Sequence, residues 1–370
     1  MSTEHTKRIA HAALALIVVA VLAVLYSLYF ARSFLIPIAF AILLDFLLSP
    51  LVRVLNKARI PTTAGAALVV LALIGTIVLG IYQLTGPVQK FLDEAPQSIS
   101  KAQAQIGSLI QPLQRVSQNA EKVAAATGDT NDRKKPAQVE VVGPSMASRL
   151  AGTTQRIVGG LLEVLLLLFF LLAGGDLFLE KTISLLPLLR DKKKAVRIAR
   201  DIESTVSVYL MANLAINIVE GVMLSLVLWA WGLPNALLWG IVVVALEFIP
   251  YIGAIIMIAL LSLAAVATFN DLPHILLVPA SYIVVNFIQG NVVSTMVLGK
   301  RLALNSVALF IGLAFWFWIW GIPGAFIGVP LMSVIKICCD HIEALAPFGE
   351  FLGARSEPVR NEVVAEVVAA

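Results

Sequence analysis

The sequence predicts an all-α polytopic integral membrane protein of about eight membrane segments, and three observations carry that prediction. Of its 370 residues, 59% are hydrophobic and only 14% charged, whereas a soluble domain carries about a quarter charged residues. The apolar residues fall in blocks near or above the ~18 residues needed to cross a bilayer. The basic residues collect between particular blocks, as they do in cytoplasmic loops. The net charge of +4 and pI of about 9.1 therefore set orientation and meet anionic lipid. Membrane lipid is an expected partner and nucleic acid is not.

The elements follow in order. Ile9 to Phe30, after Lys7 and Arg8, is longer than the 7–15-residue apolar region of a cleaved signal peptide and reads as a retained helix. Phe34 to Leu55, with Pro37 and Asp45, and Thr63 to Leu84 complete helices one to three over residues 1–84. Arg53, Lys57 and Arg59 lie between the second and third, which puts that turn and the N-terminus in the cytoplasm.

Residues 85–156 are expected to form an extracytoplasmic amphipathic helical segment. Apolar or small residues recur at Val88, Leu92, Ala95, Ile99, Ala102, Ile106, Leu109, Leu113 and Val116, alternating steps of four and three. That is a heptad seam, interrupted by Pro96 and Pro112. It suits a helical hairpin packed between protomers, and equally a helix packed on its own neighbour. Residues 128–138 read as a polar loop.

Membrane helix four is expected over 157–175. The basic stretch 176–205 follows, with Lys181, Arg190, Lys192, Lys193, Lys194, Arg197 and Arg200. Val196, Ala199, Ile202 and Val206 share one face, as in a helix lying in the cytoplasmic interface. A transport core is expected over 206–341 and a cytoplasmic tail over 342–370.

Within that core two apolar stretches are broken near their middles. Ala236 to Ile249 meets Pro250-Tyr251-Ile252-Gly253 before Ala254 to Phe269, and Ser306 to Trp320 meets Gly321-Ile322-Pro323-Gly324 before Ala325 to Cys339. Each half is short for a crossing of ~20 residues, so each stretch is a kinked crossing or a hairpin returning to its own side. A hairpin in the first delivers Lys300 and Arg301 to the cytoplasm, which the positive-inside rule favours. Paired interruptions of this kind point to a transporter's central site, since free backbone groups at membrane depth need a protein or wet surrounding.

Polar residues lie where lipid is expected. Asn213, Asn217 and Glu220 share a face of the fifth span, Asn286 and Gln289 a face of the seventh with Asn291 nearby, and Glu247 stands three residues before Pro250. Ionised carboxylates in hydrocarbon usually face a cavity or a partner. Glu220 and Glu247 are thus candidate protonatable or cation-binding groups. The amides line a solute pathway or join helices by hydrogen bonds, and Asp45 and Glu163 fit an interface or a structural pair. Adjacent Cys338 and Cys339 and four scattered histidines form no metal site. With no zinc-protease, serine-hydrolase or nucleotide-loop motif, neither enzyme activity nor a cofactor is expected.

The motifs Ile249-Pro250-Tyr251-Ile252-Gly253, Asn286-Phe287-Ile288-Gln289-Gly290-Asn291, Val297-Leu298-Gly299-Lys300-Arg301-Leu302, Gly321-Ile322-Pro323-Gly324 and Gly328-Val329-Pro330 stand in order. In this set the chain resembles the autoinducer-2 exporter (AI-2E) family of bacterial membrane proteins, over roughly residues 10–341 and most specifically beyond 205. Asn305-Ser306 departs from it, where many relatives carry proline. The resemblance implies an inner-membrane secondary transporter and assembly as a homo-oligomer, while the charge distribution with both stretches as hairpins puts both termini in the cytoplasm. The cargo it implies is a small polar solute such as autoinducer-2, or a monovalent cation exchanged for a proton in a sodium or lithium antiporter. An oligomeric scaffold and a passive channel are the readings of other classes. Pro250, Gly253, Gly321 and Gly324 join the two glutamates and the amides as candidate site residues.

Overall fold

A computed structural model describes residues 2–83, 85, 86, 89, 146–175, 177–184, 189–294, 296 and 304–353. All nine positions of the heptad seam, the polar stretch 128–138, the Val297-to-Leu302 motif and the tail beyond 353 lie outside these residues.

The described elements are helical. They are α1 (Ser2–Phe30), α2 (Arg32–Lys57), α3 (Thr62–Gln83), α4 (Met146–Gly174), α5 (Leu177–Ser184), α6 (Leu189–Ala230), α7 (Ala236–Leu246), α8 (Ile252–Thr268), α9 (Leu272–Ile288), α10 (Ser306–Trp320), α11 (Ile322–His341) and α12 (Ala346–Leu352). A π-helical turn, Gln289–Val293, continues α9, and a 3-10 turn, Glu343–Leu345, precedes α12. Among the described residues six helices are long and apolar enough to cross a membrane: α1, α2, α3, α6, α9 and α11. Val158–Gly174 of α4, α7, α8 and α10 are shorter apolar helices. The fold is the all-α polytopic membrane class that the composition predicts.

Two boundaries differ from expectation. Helix α4 starts at Met146, eleven residues before the apolar block. The division between a basic helix and the fifth span leaves no break, because Leu189–Ala230 is one 42-residue helix. The reason is local: no proline occurs in it and its first glycine is Gly221. Pro37 and Pro50 both lie inside α2. Spanning helices tolerate proline because neighbours re-satisfy the freed carbonyls.

The chain forms two compact units. One comprises residues 1–75, 159–215 and 294–370. Its first core joins Ala41 and Val52 of α2 with Ala66, Val69 and Val70 of α3 and Leu165, Leu168 and Leu172 of α4. Its second core is built on α10 and α11, with Trp316, Ile319, Trp320, Ile327 and Met332. These two helices fold back on each other. A Cβ on Gly312 would strike Met332, one on Gly328 would strike Leu313, and one on Gly324 would come within 2.0 Å of the Trp316 carbonyl oxygen. That succession of partners is antiparallel, and the turn is made by Gly321 at φ 67°. Trp320 Nε1 donates to the Leu28 carbonyl at 3.0 Å and ties the hairpin to α1. On the polar side Arg53 Nη1 donates to Glu203 Oε1 at 3.0 Å, and His341 Nε2 lies 3.1 Å from Asp201 Oδ2.

The other unit comprises residues 76–158 and 216–293. Its core gathers Leu224 and Leu228 of α6, Trp239 and Val243 of α7, Met257 and Leu261 of α8, and Val278, Tyr282 and Val285 of α9. Helices α7 and α8 pack against each other as a hairpin. Pro250 cannot supply the N–H that a continuous helix needs, and the chain turns there with Tyr251 at φ 66°. Gly253 follows because a Cβ at that position would lie 2.0 Å from the Leu246 carbonyl oxygen. Helix α6 touches α7 just as closely: a Cβ on Gly221 would lie 2.5 Å from the Gly240 carbonyl oxygen.

Candidate functional site

Both ends of the α7–α8 hairpin lie at one end of this unit. Trp231, just past α6, donates through Nε1 to Ser281 Oγ of α9 at 3.0 Å and sets its ring edge-on to His274. Phe269, just past α8, stacks on His274, with ring centroids 5.3 Å apart. Asp271 caps α9 by accepting from the His274 backbone N–H at 3.2 Å and also pairs with the His274 ring. The His274 side-chain hydrogen bond holds the exposed Asp271 carboxyl below the usual carboxylate range.

Away from that end, three helices bring their polar residues together. Glu220 lies eleven residues before Trp231, Glu247 eleven after Ala236, and Asn286 fourteen after Leu272. At 1.5 Å per residue these separations are about 16–21 Å, near the middle of an apolar slab ~30 Å thick. Here Asn286 Nδ2 donates to Glu220 Oε1 at 3.1 Å and to Glu247 Oε1 at 2.9 Å. Tyr282 Oη donates to the same Glu247 oxygen at 2.6 Å. One amide thus bridges two carboxylates whose nearest oxygens are at most about 6 Å apart, the sum of those two bonds. Glu220 is 1% exposed and Tyr282 fully buried.

The electrostatics of the cluster are one-sided. Residues 201–299 contain no Lys or Arg, and among the described residues no basic side chain pairs with either glutamate. A buried and a half-buried carboxylate that close, without a counter-cation, are costly if both are ionised. Such a cluster is suited to hold a proton or a monovalent cation. A metal ion requiring several ionisable ligands finds no group of three or more His, Cys, Asp or Glu among the described residues.

The candidate residues fall into distinct groups. Glu220, Glu247 and Asn286 meet directly, and Pro250 and Gly253 make the turn that holds Glu247. Asn217, three residues before Glu220 on α6, is 1% exposed, and its amide has no hydrogen-bond partner among the described residues. Asn213 is half-buried and belongs to the first unit. Gln289 opens the π-helical turn, a feature frequent at functional sites, whereas exposed Asn291 donates to the Phe287 carbonyl at 2.9 Å. Gly321 and Gly324 shape the other hairpin, in the first unit. Tyr282 is the residue that sequence reasoning passed over. Its signal was present: it lies four residues before Asn286, hence on the same face, and a buried tyrosine hydroxyl seeks a partner.

The chain as a whole is similar to known proteins. The model of a family described as AI-2E family transporter matches residues 17–344. The AI-2 transport protein TqsA of Escherichia coli (strain K12) is 26% identical over 318 residues, covering 86% of this chain and 89% of that protein. YhhT of the same organism, also named for transport, is 32% identical over 148 residues, or 40% of this chain and 42% of its own. A protein of Haemophilus influenzae (strain Rd), likewise named for transport, is 23% identical over 339 residues, covering 91% of this chain and 94% of that protein.

Proposed function

The chain belongs to the AI-2E transporter family, and from that premise we propose that it is a secondary transporter of small polar solutes, driven by a proton or monovalent cation bound at Glu220 and Glu247. The observation that carries this reading is the Asn286 amide shared by buried Glu220 on α6 and half-buried Glu247 beside the tip of the α7–α8 hairpin. A permanent ion pair at that depth would hold its charge through every cycle. Two acids without a basic partner can instead load and unload one positive charge, and that change alters the energy of a hairpin tip tied to α9 through Asn286.

Transport of autoinducer-2 is the first substrate to test, because it is in the name of TqsA. Exchange of sodium or lithium for protons is the second reading. It is favoured by the same acidic cluster, which suits a monovalent cation as well as a proton. We place the protein in the bacterial inner membrane with both termini cytoplasmic, as a homo-oligomer, on the charge distribution and the family together.

The test is flux into liposomes containing purified protein, comparing autoinducer-2, sodium and lithium with and without an imposed pH gradient. Glu220→Gln and Glu247→Gln are expected to reduce gradient-driven flux by about 100-fold or to uncouple it, with the protein still in the membrane. Unchanged flux in both variants overturns the assignment of the site. Flux insensitive to either gradient indicates a passive channel instead.

A further inference from the structure

The two glutamates are held unequally. Glu247 Oε1 accepts two hydrogen bonds, from Tyr282 Oη at 2.6 Å and Asn286 Nδ2 at 2.9 Å. Tyr282 is fully buried among apolar residues, so its hydroxyl depends on that carboxylate for a partner. Both side chains come from α9, one helical turn apart, and they fix Glu247 from one face. Glu220 accepts one bond, at Oε1. Its Oε2 is buried and has no hydrogen-bond partner among the described residues, and the same holds for Nδ2 and Oδ1 of Asn217 on the same face of α6. Among the described residues the buried polar atoms of the cluster without a partner are thus on α6, while on the hairpin Glu247 Oε1 is held by two donors. Buried groups in that state are costly, and gain most when a ligand completes them.

We propose that Tyr282 is a positioning residue that divides the work of the two carboxylates. It pins Glu247 in place, and Glu220 with Asn217 forms the face at which the coupling charge is exchanged. The inference deepens the transport reading above and rests on it for its functional meaning. Its geometry can be tested without flux.

The experiment is infrared spectroscopy of the purified full-length protein in lipid, following carboxyl C=O bands as pH is varied. Glu220→Gln and Glu247→Gln assign the bands by removing one each. In Tyr282→Phe the band belonging to Glu247 is expected to titrate about one pH unit from its position in the unmodified protein, the effect of one lost bond to a carboxylate. The Glu220 band should move by less than a third as much. In Asn217→Leu the pattern reverses. Ser281→Ala, which removes a hydroxyl on the same helix outside the cluster, should move neither. Fluorotyrosine at 282 keeps the ring and changes only the acidity of its hydroxyl. It should shift the Glu247 band in proportion to the number of fluorines, and it serves if Tyr282→Phe does not fold. An unmoved Glu247 band in the phenylalanine or fluorotyrosine proteins overturns the proposal. So do equal shifts of the two bands, or an Asn217→Leu protein that leaves the Glu220 band in place. If the bands behave as expected but the unmodified protein carries no gradient-driven flux, the transport reading fails and the positioning role stands.

Discussion

The α7–α8 and α10–α11 hairpins use one backbone device and differ in what they do with it. In each, the second apolar helix starts from a residue of positive φ, Tyr251 or Gly321, and a proline stands beside the turn. In each, a glycine early in the second helix lies so close to a carbonyl of the first that a Cβ would sit 2.0 Å from the oxygen. The tips part company there. The first hairpin carries Glu247 into a cluster with Glu220, Tyr282 and Asn286. The second, Gly321-Ile322-Pro323-Gly324, has no ionisable group, and its surroundings are Trp316, Trp320 and Ile327. The difference teaches that the Pro/Gly break is an architectural solution to turning a chain inside an apolar medium. Chemistry is added to it by the residue at the tip and by what the neighbouring helices present.

If the backbone device is common to both, Gly253→Ala and Gly324→Ala should be the most disruptive single changes, and about equally so. A methyl group forced onto a carbonyl oxygen must displace the turn, at a cost of about 2–4 kcal/mol. Thermal unfolding of the detergent-solubilised variants measures this. A large loss in one and none in the other would separate the two hairpins structurally as well as chemically.

Asn286→Leu comes next and should act on function far more than on folding. It removes both bonds that join the carboxylates, at a site only partly closed to solvent. Flux in proteoliposomes should fall by about 100-fold while the unfolding midpoint changes by a few degrees. Wild-type flux in this variant would break the comparison by making the first tip as inert as the second.

The smallest effect is expected in the second hairpin. Trp316 is buried, and its Nε1 has no hydrogen-bond partner among the described residues. Trp316→Phe removes that donor and retains an aromatic ring, so flux should stay within about twofold and stability should change by less than about 1 kcal/mol. A tenfold loss of flux would show that the second hairpin also carries a polar contact needed for transport.

The sequence by itself determined the class of fold, because hydrophobicity over 17–26 residues is a property of the chain and needs no partner to be read. It also marked where the two apolar stretches break, since Pro250 and Gly321 act through local backbone geometry, but a kink and a hairpin both fitted that break. It singled out Glu220, Glu247 and Asn286 because a polar group in an apolar block stands out wherever it packs. Only the tertiary structure decided which of the polar residues meet. Asn213, Asn217 and Glu220 look alike on a helical wheel, but Glu220 is bonded across to Asn286, whereas the Asn217 amide has no hydrogen-bond partner among the described residues. Tyr282 joined the site for the same reason. A contact between Glu247 and a residue 35 positions further along depends on the hairpin folding back against α9, and that is set by close packing among Trp239, Met257, Leu261 and Val278. Periodicity places residues on a face, but the shape of the opposing surface determines which face they meet.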